Sequence, residues 1–249
     1  MEGSRYNDLY LPGAHFPDAL QVTTNIDDAL IGAEDVLIVV PSHALRETLE
    51  RLKNSSQSIK HLTWATKGFE TETGLLPHQV VRQVMGTSLP MAVISGPTFA
   101  SEVAAGLPSA VSIASTTEAN ANRLAQAIST DTFRAYTAKD IVGVEVGGAT
   151  KNVLAIGAGI SDGLGFGANT RIAMITRGLI EMTRLGLALG AQKDTFIGLS
   201  GMGDLVLTCS DDQSRNRRFG LGLADGTSVE GLRRKIGQVV EGYYAAKAV

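Results

Sequence analysis

Residues 36–43 read VLIVVPSH, a short aliphatic run that stops at a polar turn. The same arrangement returns at 62–68, LTWATKG, and at 92–98, AVISGPT. Continuous apolar runs of this length are typical of strands buried on both faces of a sheet, as in a parallel sheet covered by helices. The three repeats therefore predict that the first part of the chain is built around such a sheet.

The segments around these runs continue an alternation of strands and helices. Further strands are predicted at 110–114 and 133–137, and helices at 43–53, 75–85 and 118–129, the last with a capping signal at 115–118. Such an alternation is typical of an α/β fold with a parallel sheet. Residues 1–18 carry no apolar secretory core and are predicted to form an exposed loop.

The pattern changes after Asp140, where Ala, Gly, Leu and Met recur at helical spacing. A helix is predicted over 141–160, and another begins around residue 169. The second helix has an apolar stripe made of Ile172, Ile175, Leu179, Met182 and Leu185. We therefore expect two domains, at 1–139 and 140–249, with a ligand cleft between them.

Composition excludes several classes of function. The 249 residues are 44% hydrophobic and carry a net charge of -3, which gives no positive field for nucleic acid and favours a small-molecule partner. No apolar run approaches the roughly 20 residues that span a membrane. Cys209 is the one cysteine, which fits a reducing compartment and a packing role. The histidines, at 15, 43, 61 and 78, have no metal-ligand spacing, so no metal is predicted.

A lysine stands among glycines and aliphatic residues at 147–156, GGATKNVLAI. On a helix, Gly147 and Gly148 share a face with Lys151 and leave bare space beside its amine. Each mid-helix glycine costs about 1 kcal/mol relative to alanine, so we expect close approach by another backbone or by a ligand. The alternative is tight helix packing with Lys151 extending to water, and this segment alone does not separate the two.

Polar turns follow three of the predicted strands, at 41–43, 65–68 and 95–98. Because ligands bind beyond the carboxyl ends of parallel strands, these turns are predicted to line one edge. Lys67 could meet a phosphate or a substrate oxygen, and Gly96 and Thr98 could donate hydrogen bonds. Each turn taken singly is equally typical of an ordinary strand–helix connection.

Two further segments, one rich in glycine and one rich in arginine, are candidate anion-binding sites. Residues 157–163, GAGISDG, imitate a dinucleotide-binding turn, but they follow a helical pattern instead of a strand, and we discount them. Downstream, 214–218 read SRNRR, where Arg215 is predicted to clamp an anion if it faces Lys151, while Arg217 points elsewhere on the helix. Most short basic runs lie on a solvent-exposed surface and bind no ligand.

Several segments together resemble one family: IVVPSH, WATKG, ISGPTFA, VGVEVGGATKNVLAIGAGISDGLGFGANT, GLSGMGDLVLTC, SRNRRFG and IGQVVEGY. They closely resemble the bacterial NAD(P)-dependent sn-glycerol-3-phosphate dehydrogenases, in order, from about Tyr10 to Tyr244. The resemblance implies a Rossmann-like parallel-sheet domain followed by an all-α domain like that of 6-phosphogluconate dehydrogenase. It also implies NAD or NADP as cofactor and reversible reduction of dihydroxyacetone phosphate to sn-glycerol 3-phosphate, for glycerophospholipid synthesis in the cytoplasm.

The resemblance also implies roles for individual residues. Lys151 corresponds to the catalytic acid/base of the family. The implied substrate contacts are Lys67, Gly96, Thr98, Asp204, Ser214, Arg215 and Asn216. The implied cofactor contacts are Lys67, Ala100, Arg215, Val239 and Glu241.

The chain departs from the family pattern at both ends. It starts at a loop like NDLYLPG without the family's GxGxxG turn and stops at EGYYAAKAV, so we expect that the first βα unit and the last helices are missing, and the sequence leaves open whether the chain as given is active or inactive as a fragment. The alternatives are a sister hydroxyacid or 6-phosphogluconate dehydrogenase, which SGPTFA and SRNRRFG disfavour, and a non-enzymatic truncated interaction module. The sequence leaves the choice between NADH and NADPH open. It also leaves the oligomeric state open, and a homodimer is one arrangement.

Overall fold

A five-stranded sheet is followed by a helical part in the computed structural model, which describes residue 1 and residues 3–248. The strands are β1 (Tyr6–Asn7), β2 (Leu11–His15), β3 (Asp35–Ile38), β4 (His61–Trp64), β5 (Met91–Ser95), β6 (Ser109–Ser115) and β7 (Phe133–Ala138). The helices are α1 (Ile26–Leu30), α2 (Leu45–Lys53), α3 (Pro77–Met85), α4 (Ala100–Ala104), α5 (Glu118–Ile128), α6 (Ile141–Gly163), α7 (Gly167–Ala188), α8 (Asp204–Ser210), α9 (Arg215–Ala224), α10 (Val229–Ile236) and α11 (Glu241–Ala248). Short 3₁₀ turns lie at Ser42–Ala44 and Lys193–Ile197, and one π turn at Leu199–Gly203.

The larger sheet has the strand order β3-β4-β5-β6-β7. The pairs β3/β4, β4/β5 and β6/β7 are parallel, which confirms the predicted α/β architecture for these strands. The prediction of a wholly parallel sheet is wrong for one pair, because β6 runs antiparallel to β5. The physical reason lies in their connection, which holds only the five-residue helix α4, whereas a parallel crossover usually needs a full helix.

The expected loop at the start of the chain contains a small antiparallel hairpin instead, formed by β1 and β2. The guanidinium of Arg5 donates hydrogen bonds of 2.5 Å and 2.6 Å to the carbonyl oxygens of Pro17 and Leu20 and so closes the base of the hairpin. The sequence pattern missed it because the two strands are short and half-exposed, and therefore show no apolar alternation.

Helix α6 is the centre of the second part and packs most extensively against α9 and α7. Asp140 caps it by accepting a 2.9 Å hydrogen bond from the backbone N–H of Gly143. The segment 157–163 lies inside α6, so the imitation of a dinucleotide-binding turn is helical. The turn that follows is made by Gly165 and Gly167, whose φ angles of +80° and +78° favour glycine.

The stripe predicted on α7 faces the core at four of its five positions. Ile175 and Met182 are buried, and Leu179 and Leu185 pack partly buried against the same cluster. Ile172 is an exception, since 55% of it is exposed. It lies about 60° around the helix from Ile175, at the margin of the stripe, where α6 no longer covers it.

The helical core contains Cys209 beside Leu205 and Phe196. Burial raises the pKa of the Cys209 thiol to about 12, so the side chain stays a neutral thiol and fills space, as the sequence predicts. By length and composition α6 could cross a membrane, although the sequence offered no uninterrupted apolar run. However, 67% of its most apolar window is buried inside the molecule, as in the core helix of a globular protein.

Candidate active site

The amine of Lys151 is buried between the two parts of the chain. Its residue is 8% exposed, and its Nζ donates hydrogen bonds to Asp204 Oδ1 at 2.5 Å and to Thr208 Oγ1 at 3.0 Å. The alternative in which Lys151 extends to water is therefore wrong. A buried ammonium needs a counter-charge, and α8 supplies one at its first residue, Asp204.

Asp204 holds a second lysine as well as Lys151. Its other oxygen, Oδ2, accepts a hydrogen bond of 2.6 Å from Lys67 Nζ, and the residue is only 1% exposed. One buried carboxylate thus joins an amine that follows β4 to an amine on α6. Two positive charges and one negative charge leave the cluster with a net positive charge, which suits an anionic substrate or a developing oxyanion.

The pKa values of this cluster follow from its burial. Burial lowers the pKa of Lys151 to about 8; the positive charge of Lys67 also lowers it, and Asp204 opposes the change. For Asp204, burial alone would raise the pKa, but the adjacent Lys151 and Lys67 outweigh burial and hold the pKa below its ordinary value. Lys151 is thereby poised to exchange a proton near neutral pH, and Asp204 remains a carboxylate.

The two glycines before Lys151 do not leave empty space beside its amine, and that prediction is wrong. A Cβ at Gly147 would overlap the carbonyl oxygen of Ser200, in the π turn. A Cβ at Gly148 would lie 3.3 Å from Cγ of Lys67 and 3.2 Å from Oγ of Ser95. The expected close approach is therefore real, but the protein itself fills the space, and Gly148 makes room for the stem of Lys67.

Two of the polar turns after the parallel strands meet at one edge, as predicted. Nζ of Lys67 lies 3.3 Å from the carbonyl oxygen of Gly96, which links the turn after β4 with the turn after β5. Gly96 itself is packed against the backbone of β6, so a side chain there would clash with Val111. Gly96 contributes its carbonyl oxygen to the lysine.

The third polar turn, after β3, contacts the helical part. Oγ of Ser42 donates a hydrogen bond of 3.2 Å to Oε2 of Glu241, the first residue of α11. Burial raises the pKa of Glu241, and the bond from Ser42 opposes that change. The turn after β4 is close as well, because a Cβ at Gly68 would lie 3.0 Å from Oγ of Ser42.

The residues of the SRNRR segment divide between structural and open positions. Ser214 caps α9 by accepting a hydrogen bond from the N–H of Arg217, and Arg217 is buried against Asp162 at 2.5 Å, away from the lysines as predicted. The amide of Asn216 bonds Asn152 at 2.9 Å. Ser214 thus accepts a hydrogen bond within α9, and Asn216 donates one to a residue of α6.

The structure places the remaining residues assigned by resemblance outside the lysine cluster. Arg215 is exposed and donates a hydrogen bond of 3.1 Å to Gln238 Oε1 rather than to any group of the lysine cluster. Val239, next to Gln238, is half-buried in the wall of a cleft of about 590 Å³. Thr98 is half-buried after β5, and Ala100 is exposed at the start of α4.

Thr208 and Asn152 were not predicted as site residues from the sequence. Thr208 lies four residues after Asp204 on α8, a spacing that places both side chains beside Lys151. Asn152, next to Lys151, binds Asn216 and so ties α6 to α9. Ser95, in the predicted polar turn 95–98 but given no role there, has a buried hydroxyl that finds no hydrogen-bond partner within the described residues. Helical spacing was a usable signal for Thr208, whereas the contact between Asn152 and Asn216 depends on tertiary packing.

No group of three or more His, Cys, Asp or Glu residues is arranged to hold a metal ion in the part of the chain that the structure describes. The functional groups of the lysine cluster are its amines, its hydroxyl and its single carboxylate.

Two family models match almost the whole chain. The model described as the C-terminus of NAD-dependent glycerol-3-phosphate dehydrogenase matches residues 140–249. The model described as the N-terminus of the same enzyme matches residues 1–121.

Curated proteins and solved structures agree with these matches. The chain is 52% identical to a glycerol-3-phosphate dehydrogenase [NAD(P)+] of Pectobacterium carotovorum and 54% identical to one of Salmonella paratyphi B, in each case over all of the chain and 74% of the relative. The crystal structure of glycerol-3-phosphate dehydrogenase from Coxiella burnetii superposes with a TM-score of 0.96 at 46% identity, covering 100% of this chain and 76% of that one. The yeast enzyme superposes with a TM-score of 0.84 at 25% identity, over 98% of this chain and 72% of that one.

Proposed function

This chain belongs to the family of NAD-dependent glycerol-3-phosphate dehydrogenases, and we propose that the Lys151–Asp204–Lys67 cluster carries out its chemistry. The chain is an NAD(P)-dependent oxidoreductase acting on a CH–OH group. Its reaction interconverts dihydroxyacetone phosphate and sn-glycerol 3-phosphate. The buried amine of Lys151, paired with a carboxylate and poised near neutral pH, is the observation that supports the assignment of the site.

The residues around the cleft suit a dinucleotide. Val239 offers an apolar wall, and Arg215, bonded to Gln238 in that wall, offers a cation for a phosphate. We propose that Lys67, Ala100, Arg215, Val239 and Glu241 contact NAD or NADP. When bound, the nicotinamide supplies or accepts the hydride.

The substrate is held by its phosphate and its oxygens. We propose that Lys67, Thr98, Ser214, Arg215 and Asn216 bind it, together with the turn at Gly96. Ser214 accepts its internal hydrogen bond and keeps its hydroxyl hydrogen, and Asn216 uses one of the two hydrogens of its amide nitrogen, so each retains a donor for a substrate oxygen. Arg215 forms no salt bridge within the described residues, although the charge of Glu241 acts on its guanidinium, and it has the planar fork that binds phosphate oxygens in pairs.

Lys151 acts on the proton. When the carbonyl carbon of dihydroxyacetone phosphate receives a hydride, the C=O bond becomes an alkoxide, which takes a proton from Nζ of Lys151. In the opposite direction the neutral amine removes the hydroxyl proton as hydride leaves carbon. Since the pKa of Lys151 is about 8, both forms of the amine are populated close to neutrality. Asp204 and Lys67 hold the amine in place and balance its charge.

The test is turnover of dihydroxyacetone phosphate with NADH and with NADPH, followed by nicotinamide absorbance. We expect Lys151→Ala to lower kcat by on the order of 10³-fold or more, as loss of an acid/base group does, with KM little changed. Arg177→Ala is the matched control, because Arg177 forms only an exposed pair with Glu181 on α7. Near-normal turnover by Lys151→Ala would remove the lysine from the mechanism.

The same assay separates the related reactions. Turnover of 6-phosphogluconate or a 3-hydroxyacid at a rate comparable with glycerol 3-phosphate would contradict the assigned substrate. Quenching of nicotinamide fluorescence by the ligand-free protein reports cofactor binding independently of turnover. We further propose a cytoplasmic role, in which the glycerol 3-phosphate produced supplies the backbone of glycerophospholipids.

A further inference from the structure

A second buried carboxylate, that of Glu145 on α6, lies where the sheet and the helical part meet. Its side chain has no exposed surface. Oε1 accepts hydrogen bonds from the indole Nε1 of Trp64 at 2.9 Å and from the backbone N–H of His78 at 2.8 Å. Oε2 lies 2.5 Å from Nδ1 of His78. One side chain thus binds β4 through Trp64, α3 through His78, and its own helix.

Such a group is costly to bury unless every lone pair finds a donor. Burial raises the pKa of Glu145, and the bonds from His78 and Trp64 oppose that change. An apolar residue would fill the same volume without this cost. Buried polar groups of this kind are best explained by the geometry that their directional bonds impose on the elements they join.

The elements joined by Glu145 are the ones that carry the two lysines of the active site. Trp64 is the last residue of β4, three residues before Lys67. On α6, Gly148 lies one turn after Glu145 and packs against the stem of Lys67, and Lys151 follows about one turn later. The contact between Glu145 and Trp64 therefore sets how closely the turn carrying Lys67 approaches the helix carrying Lys151.

We propose that Glu145 is a positioning residue, which fixes the separation of Lys67 and Lys151 across Asp204 without touching the substrate. The proposal rests on the proposed roles of these lysines. The residues Glu145, Trp64 and His78 form a hydrogen-bonded group, here called the anchor, which adds to the active site without contacting the substrate.

The anchor requires hydrogen-bonding geometry rather than charge. In Glu145→Gln, the amide oxygen can accept from Trp64 Nε1 and the His78 N–H, and the amide nitrogen can donate to an unprotonated Nδ1 of His78. In Glu145→Leu, the indole and the His78 N–H lose their acceptor. The turn with Lys67 then relaxes away from α6, and the positive charge that lowers the pKa of Lys151 recedes.

Two measurements test this. The first is kcat and KM for dihydroxyacetone phosphate; we expect Glu145→Leu to lower kcat on the order of 10- to 100-fold with KM less affected, and Glu145→Gln to restore most of the rate. The second is the titration of Lys151 in the ligand-free protein, followed by NMR of ¹³Cε-labelled lysine. Its midpoint should shift upward in Glu145→Leu and stay near that of the wild type in Glu145→Gln.

Thr150→Val is the matched control. Thr150 is buried on the same helix, and its hydroxyl binds only the carbonyl oxygen of Val146 within α6. We expect this variant to change thermal stability without moving the Lys151 midpoint. A folded Glu145→Leu protein with normal kcat and an unshifted midpoint would overturn the proposal, and so would Glu145→Gln that is as impaired as Glu145→Leu.

If Glu145→Leu does not fold, Trp64→Phe decides. It removes the indole donor together with part of the buried ring volume, and it leaves the contacts between Glu145 and His78 in place. We expect a smaller upward shift of the Lys151 midpoint, and an unshifted midpoint in folded Trp64→Phe would overturn the proposal. The titration needs no turnover, so absence of any activity in the wild-type protein would contradict the proposed function while the comparison of midpoints still tests the anchor.

Discussion

Asp204 is the carboxylate that both lysine amines bind, and it favours the protonated form of Lys151. Its attraction raises the pKa of Lys151, while burial and Lys67 lower it to about 8. A neutral amine is required to oxidise glycerol 3-phosphate. We therefore expect kcat/KM for oxidation to rise with pH through a midpoint near 8, and kcat/KM for reduction to fall over the same range.

Asp204→Asn tests this balance. The amide keeps the shape of the side chain but removes the charge that favours the protonated amine, so the midpoint for oxidation should move to lower pH. We expect kcat to drop on the order of 10- to 100-fold as well, because the two ammonium groups then repel each other. A pH–rate profile of the folded variant with an unchanged or higher midpoint would contradict this account of Asp204.

For Arg215 we propose a role in binding the phosphate and none in proton transfer. Loss of a charge-assisted contact with phosphate corresponds to about 1.5–3 kcal/mol. Arg215→Ala should accordingly raise KM for dihydroxyacetone phosphate about 10- to 100-fold, with a smaller effect on kcat. Steady-state kinetics beside Arg177→Ala, an exposed arginine on α7, checks this, and an unchanged KM would exclude Arg215 from phosphate binding.

The packing of α6 against α9 depends on glycine at the crossing. A Cβ at Gly159 would overlap the carbonyl oxygen of Arg217, which is backbone and has no rotamer to change. A Cβ at Gly157, two residues earlier, would meet only the Cε end of Met174 at 3.0 Å. A side chain is therefore excluded at Gly159 by the backbone of α9 and is tolerated at Gly157, although both glycines lie in the interior of one helix.

Alanine at these two positions should have opposite effects. We expect Gly159→Ala to lower the free energy of unfolding by about 1–3 kcal/mol through overpacking. Gly157→Ala should leave it unchanged or raise it by up to about 1 kcal/mol, since alanine favours a helix more than glycine does and Met174 can move. Denaturant unfolding of both variants measures the difference, and equal destabilisation would show that the backbone contact with α9 is not the cause.

At the scale of elements, the local pattern predicted most of the fold. Each of the five predicted sheet strands forms within two residues of its expected ends, because runs rich in β-branched residues favour an extended backbone. The run 36–40 is not buried on both faces as predicted, since it lies at the edge of the sheet. The direction of β6 was not predictable in this way, since apolar content is the same for parallel and antiparallel neighbours. The one indication of an antiparallel direction was the connection between β5 and β6, which contains only the five-residue helix α4.

For the whole molecule, the exposed edge of the larger sheet is the main liability. β3 is the first strand in the sheet order, and Leu37 and Val39 at this edge are 54% and 67% exposed. An exposed apolar edge strand pairs readily with another chain. We expect this chain to self-associate through that edge as its concentration rises.

Leu37→Lys should weaken the association, because a charge on an edge strand opposes edge-to-edge pairing. Ile197→Lys is the control, since Ile197 is 63% exposed on a 3₁₀ turn of the helical part and gains the same charge. Sedimentation velocity over a range of concentrations compares the two. Equal reduction by both variants would attribute the effect to net charge rather than to the edge.

The sequence by itself determined the five strands of the larger sheet, the helices α2, α3, α5, α6 and α7, the family and the lysine of α6, because burial periodicity, capping residues and motif order are properties of neighbouring residues. Only the tertiary structure decided which groups meet: Asp204 lies 53 residues from Lys151 and 137 from Lys67 along the chain. It also filled the space beside Gly147 and Gly148 with protein atoms, and it joined Glu145 to Trp64. Contacts of this range depend on how whole elements pack, and packing follows from volumes and hydrogen bonds summed over the molecule, which no local pattern contains.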